Sequence, residues 1–247
     1  MSCGFRPDAL ALASIFAAIC LLLVLISDRV WFMMGNRYTG LLTIASIVAR
    51  PKFAARSTLI NLPRLLVFTD PKRSPDLLHL AANLPPGSGL VYRHFGAKDR
   101  FEIAGQLSHL CQVRKLIFLI GDDPALALAV GADGVHLPER ALGALPRIRA
   151  RYGFSLISTA AHSVRAARAG LAAGANWVVL SSVFASTSPS AGKPLGLCRF
   201  GLAHQKVAGP VMALGGITRI NVARLQGLSQ GIALVSAANA DKADSRT

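Results

Sequence analysis

From about Leu65 onward the chain repeats one unit: a short apolar run, a polar or glycine turn, then an amphipathic helical stretch. Such alternation folds as α/β with a parallel sheet, because each helix returns the chain to start the next strand in the same direction. The clearest copy is GADGVHLPER at residues 131–140, where a short buried strand at Gly134–Leu137 emerges into a polar turn. Folds of this kind carry their chemistry at the carboxyl ends of the strands, so function is sought in the turns.

The pattern predicts strands at residues 65–69, 90–94, 116–120, 134–137, 155–159, 177–180, 211–214 and 232–235. Helices are expected at 75–83, 100–113, 124–130, 141–151, 164–173 and 220–228. Eight strands in strict alternation favour a closed (β/α)8 TIM barrel over residues 63–240, against an open doubly wound sheet. The barrel is lean, below the ~200 residues usual for the architecture. Little chain remains after Ser236, and residues 241–247 are a polar tail, so the eighth helix is expected to be short or missing.

Residues 1–62 form an apolar amino-terminal extension outside the repeat. Within it, residues 9–26 (ALALASIFAAICLLLVLI) run uncharged for a length at the lower edge of a membrane-spanning helix. Arg37, Arg50, Lys52, Arg56 and Arg64 follow this run, whereas only Arg6 precedes it. By the positive-inside rule the body then lies in the cytoplasm, anchored to the inner face of the membrane. A start at Met33 or Met34 is the competing reading, and it removes the segment altogether. A cleaved signal peptide fits less well, because Asp8 offsets Arg6 and no small-x-small site follows. Residues 41–49 are too short to span and are expected as a loose helix on the domain.

The formal charge of +15 attracts anions: phosphorylated ligands, acidic lipid or nucleic acid. Nucleic acid is disfavoured, since aromatics are few and no basic run is interleaved with them. The four cysteines have no CxxC spacing, which argues against a zinc site or disulfide framework and for a reducing compartment. Oligomeric state is not legible.

Candidate chemistry gathers after the strands. Gly215 and Gly216 follow strand seven and Ser236 follows strand eight, the two turns that often build a phosphate site in barrels. Glycine lets amides approach an anion, and a helix starting at residue 220 would aim its positive end there; equally, the glycines merely make a tight turn. The loop 181–196 (SSVFASTSPSAGKPLG) offers hydroxyls at Ser186, Thr187 and Ser188 and one cation, Lys193, for a pyrophosphate. At the end of strand two, Arg93 and His94 alternate, so only one faces the barrel mouth. Arg93 suits a phosphate clamp or a surface salt bridge with Asp99 or Glu102.

Asp122 or Asp123, after strand three, suits Mg2+ held together with a ligand's phosphates, and Asp122 equally suits capping the helix that Pro124 begins. His162, after strand five, is the best-placed general acid or base, with helix capping alongside Ser163 as the plainer role. His136 lies within strand four and reads as structural. His79, His109 and His204 fall in helical segments without metal-ligand spacing.

Over residues 63–240 the chain resembles the thiamine-phosphate synthase and thiazole tautomerase family. The matching segments are LVFTDPKR from Leu66, GADGVHLPE from Gly131, AAHSVRAARAGLAAGANWVVLSSVF from Ala160, PVMALGGITRIN from Pro210 and GIALVSA from Gly231. The resemblance implies a β/α barrel whose synthase members join a pyrimidine methyl pyrophosphate to a thiazole phosphate with Mg2+ assistance. By the same resemblance Gly216, Val235 and Ser236 hold the thiazole phosphate, and Ser186 and Ser188 match hydroxyl residues that hold the pyrophosphate. His162 matches a histidine of the tautomerase members.

The sequence departs from the family pattern in several places. Gln-x-Arg-x-Lys has become Tyr92 to Gly96, where only Arg93 or His94 can supply the arginine. The Asn-Asp pair appears as Gly121-Asp122, the second metal-binding aspartate falls on Ala141, a serine on Ala160, and the pyrophosphate lysine on Pro189, with Lys193 four residues away. The thiazole-phosphate end is therefore kept better than the pyrophosphate end. Three readings follow: a synthase-like transferase, a tautomerase-type isomerase using His162, and a non-catalytic thiazole-phosphate binder tethered to the membrane.

Overall fold

The computed structural model describes residues 39–49, 62–74, 76–186 and 192–235. The apolar run at 9–26, the loop residues Thr187, Ser188 and Pro189, Ser236 and the polar tail lie outside the described residues.

Eight parallel strands close into a barrel in chain order: β1 (Leu65–Phe68), β2 (Gly89–Tyr92), β3 (Ile117–Gly121), β4 (Gly134–Leu137), β5 (Leu156–Ala161), β6 (Trp177–Ser181), β7 (Val211–Leu214) and β8 (Gly231–Val235). Closure comes from β1, which pairs with both β2 and β8. The helices are α1 (Thr39–Val48), α2 (Leu77–Ala82), α3 (Arg100–Arg114), α4 (Pro124–Ala129), α5 (Leu145–Tyr152), α6 (Val164–Ala172) and α7 (Gly196–Lys206). The expected (β/α)8 barrel is present.

Strand alternation sorts the side chains into two cores. Leu66, Phe68, Val91, Leu119, Trp177, Val179, Met212 and Ala233 form a separate buried cluster that fills the barrel. The residues between them face outward and pack beneath the helices. The strand residues are therefore apolar on both faces, which is why the sequence shows continuous apolar runs and not polar alternation.

The GAD and GAN tripeptides that precede β4 and β6 share one device. Gly131 and Gly174 take left-handed φ of 65° and 103° as the preceding helices end. Asp133 then accepts a hydrogen bond from the Phe118 amide at 2.7 Å. Asn176 accepts one from the Ile157 amide at 2.8 Å. Each motif thus locks its strand beside the preceding one. Arg149 adds a clip, donating to Phe154 O, Gly174 O and Asn176 Oδ1.

Several expectations are corrected. The helix expected at 220–228 is a single 3₁₀ turn, Val222–Leu225. Asn221 accepts from the Thr218 amide at 2.8 Å and Gly227 turns left-handed, so too few residues remain for an α-helix. The first part of the segment 141–151 is also 3₁₀, Glu139–Ala144, and the α-helix starts only at Leu145. The stretch after β6, given no bounds by the pattern, forms α7; its Gly196 and Gly201 weaken the helical signal.

The extension does not end where the repeat begins. The compact unit that carries the barrel starts at Tyr38. Leu41, Ile44 and Val48 of α1 are at most 1% exposed and join the outer core. This helix packs on the 3₁₀ turn after β7, and Arg64 donates to Ala49 O at 3.1 Å. It is therefore part of the barrel wall. Among the described residues no helix is long and apolar enough to cross a membrane.

Candidate functional site at the carboxyl ends of the strands

β7 and β8 are hydrogen-bonded neighbours with Leu214 opposite Ala233, so Gly216 and Val235 leave the barrel side by side. Gly215 and Gly216 have φ of 107° and 62°, a region that glycine enters without strain. Both also face a close neighbour: a Cβ on Gly215 would lie 2.2 Å from Ser182 Oγ, and one on Gly216 would lie 2.2 Å from Ala185 O. The two glycines thus let the turn after β6 lie against the turn after β7. Asn221 fixes the second turn by donating to Gly216 O at 2.9 Å. The Gly216 and Ile217 amides donate no hydrogen bond among the described residues. Since only a 3₁₀ turn follows, these individual amides, and not a helix dipole, are what this turn offers an anion. In the sequence Asn221 is only the last letter of PVMALGGITRIN; its role depends on this fold.

At β2 the structure decides between the two alternating residues. Arg93 faces inward: its guanidinium carbon lies 4.9 Å from the Phe68 ring centroid and its Nε donates to Thr69 O at 3.0 Å. Arg93 makes no salt bridge with Asp99 or Glu102. Burial pulls its pKa down, while Asp70 opposes the shift. His94 instead stacks on Tyr92, an outer-core residue, with ring centroids 5.1 Å apart. Arg93, and not His94, is therefore the residue of this pair that can serve a ligand in the barrel mouth. Phe95, two residues on, is 59% exposed beside Arg100.

After β3 the two aspartates divide their roles otherwise than expected. Asp123 caps α4, accepting from the Leu126 amide at 3.0 Å, and also pairs with Arg100. Asp122 does not cap. It takes a left-handed φ of 52° and its carboxylate pairs with Arg140. Ala141 directly follows that arginine. Among the described residues no three His, Cys, Asp or Glu side chains gather as a metal site.

His162 follows β5. Glu139 Oε2 accepts from both the His162 amide and ring Nδ1, each at 2.8 Å. A carboxylate there assigns the proton to Nδ1 and leaves Nε2 as the basic nitrogen. Ser163 alone caps α6, accepting from the Ala166 amide, so His162 is released from the capping role. Ser186 and Lys193 flank the part of the β6 loop that lies outside the described residues.

His136 is 7% exposed and shares a 2.8 Å hydrogen bond between Nδ1 and Ser158 Oγ, with Phe68 edge-on at 4.8 Å. Burial, with Arg93 second, depresses its pKa from 6.5 to about 3. Below pH 6.5 the unfolded chain therefore binds a proton that the folded barrel refuses. The contribution is fully present above about pH 6.5 and is lost as the pH falls toward 3. Chemical denaturation across this window should show stability falling with acid, with a shallower fall in His136→Asn. An identical acid profile in the variant would remove His136 as the cause.

Fold and site first define a class: a (β/α)8 barrel with unpaired amides, a guanidinium and a histidine–carboxylate pair at the carboxyl ends of its strands. The family model described as Thiamine monophosphate synthase matches residues 70–238, and the chain belongs to that family. A "Putative thiamine-phosphate synthase 2" of Aquifex aeolicus is 35% identical over 184 residues, covering 72% of this chain and 98% of that protein. A "Thiamine-phosphate synthase" of Geobacillus thermodenitrificans is 31% identical over 144 residues, 57% of this chain and 64% of that protein. The solved thiamine phosphate pyrophosphorylase of Pyrococcus furiosus superposes with a TM-score of 0.63 at 26% identity, covering 74% of this chain and 89% of its own.

Proposed function

We propose that this barrel performs a thiamine-phosphate synthase reaction, joining a pyrimidine methyl pyrophosphate to a thiazole phosphate. The observation that carries the reading is the family match over residues 70–238, which includes every strand-end turn from β1 to β8. In the reaction the methylene C–O bond breaks with its electron pair leaving on pyrophosphate. The thiazole nitrogen lone pair then forms the new C–N bond. Catalysis of this kind is mostly charge neutralisation and alignment.

The Gly216 and Ile217 amides, beside Val235 and with Ser236 beyond it, hold the thiazole phosphate. Arg93 neutralises the departing pyrophosphate from inside the barrel mouth, and Ser186, Ser188 and Lys193 are the donors that the loop after β6 offers it. Mg2+ sites use one or two carboxylates together with substrate phosphates. Among the described residues Asp122 is the one carboxylate offered here; already paired with Arg140, it fits an ion that arrives on the pyrophosphate and does not fit a resident one. Bound there, Mg2+ would spread the negative charge of the leaving group.

The test has two arms. Thiazole phosphate at about 100 Kd should raise the melting temperature by about 5–10 °C, with inorganic phosphate as control; no shift at millimolar ligand overturns the phosphate grip. Both substrates with Mg2+ should then yield thiamine phosphate. One observation favours a second reading, isomerisation of the thiazole phosphate: the His162–Glu139 pair leaves Nε2 free to move a proton. Absence of thiamine phosphate, together with tautomerisation abolished by His162→Gln, would decide for it.

A further inference from the structure

The charge of this protein is not spread evenly around the barrel. From residue 63 to 140 nine Lys and Arg face eight Asp and Glu; from 141 to 240 ten Lys and Arg face none. Half the barrel, β5 to β8 with its outer elements, is therefore free of acidic side chains. Phosphorylated substrates at the mouth do not account for this, because seven of the ten lie on outer helices: Arg147, Arg149 and Arg151 on α5, Arg165 and Arg168 on α6, Arg199 and Lys206 on α7.

Their spacing is specific. Arg147 and Arg151 stand four residues apart on α5, Arg165 and Arg168 three apart on α6, and Arg199 and Lys206 seven apart on α7. Each separation returns to the same helix face, and all six residues are exposed. None of them takes part in an ion pair among the described residues. Three helices in succession thus each turn a basic face to solvent. On α7, Leu202 lies between Arg199 and Lys206 on the same face and is 56% exposed. A leucine set among cations suits a surface that is anionic and then apolar with depth.

We infer that the outer face of α5, α6 and α7 docks on an anionic lipid bilayer, with the arginines against phosphate headgroups and Leu202 at the acyl boundary. Nucleic acid would also accept the cations but offers nothing to the exposed leucine.

The full chain is mixed with sedimenting vesicles of phosphatidylcholine alone and with about 30% phosphatidylglycerol, at low salt and at about 0.5 M salt. The readout is the ratio of the two affinities, which cancels any binding by the apolar amino-terminal run common to both compositions. Arg147→Gln, Arg151→Gln, Arg165→Gln and Arg168→Gln combined should cut the preference for anionic vesicles by at least about tenfold. Leu202→Ser should weaken anionic binding while leaving the salt dependence unchanged. Melting curves establish that both variants fold. Equal affinity of the parent for the two vesicles, or a preference unchanged in the fourfold variant, would overturn the inference. So would a duplex nucleic acid probe bound more tightly than anionic vesicles with the same arginines required.

Discussion

Gly134→Ala is expected to cost about 4 kcal/mol of stability, lowering the melting temperature by about 10 °C or leaving the protein insoluble. A Cβ at this position would lie 1.8 Å from the Leu156 carbonyl oxygen and 3.1 Å from Leu156 Cβ. The obstacle is backbone of β5, which pairs Leu156 with Gly134 in the closed ladder. No rotamer change relieves it; either strand must move, and in a closed barrel that movement is shared by both neighbours. Overpacking of this kind exceeds the usual penalty of about 1–3 kcal/mol for added core methylenes. Gly143→Ala is the control, because a Cβ there meets nothing within 4 Å; it should change stability by no more than about 0.5 kcal/mol. Equilibrium denaturation of the two variants checks the pair. Equal stabilities would mean that the β4–β5 approach is not as tight as described.

Arg93→Ala should lower kcat/KM for the transferase reaction by about 10²–10³, the loss typical of one preorganised charge-stabilising donor. The guanidinium is held over Phe68 and tied through Nε to Thr69 O, so its terminal nitrogens are oriented before substrate arrives. Arg93→Lys should recover only a small part of the activity, because an ammonium offers neither the Thr69 bond at that reach nor a planar fork. A separate readout ties the effect to charge: without the guanidinium, one cause of His136's low pKa is removed, so its titration should move upward. NMR titration of His136 and steady-state kinetics address both. Full turnover in Arg93→Ala would reduce the residue to barrel scaffold.

The candidate site was legible in parts for a physical reason. Gly215 and Gly216 stood out because their chemistry is backbone chemistry, visible in two adjacent letters. The role of Asn221 was hidden, since its side chain acts by reaching back to the Gly216 carbonyl. Asp122 and Asp123 looked interchangeable in sequence. They differ because Asp122 adopts a left-handed backbone while Asp123 caps α4, and each finds its own arginine, Arg140 and Arg100. The helix expected after β7 failed because its start signal, Asn221, is spent on Thr218 and its stop signal, Gly227, comes too soon.

What the sequence by itself determined is the count, order and direction of the strands, because periodicity of apolar runs and turn glycines is local information. It also determined the family, through motifs that each occupy a few consecutive residues. Tertiary structure alone decided that Arg93 and not His94 enters the barrel, that α1 belongs to the wall, and that Glu139 holds His162. Those outcomes depend on groups tens of residues apart that meet only after the barrel closes, and no pattern along the chain carries that distance.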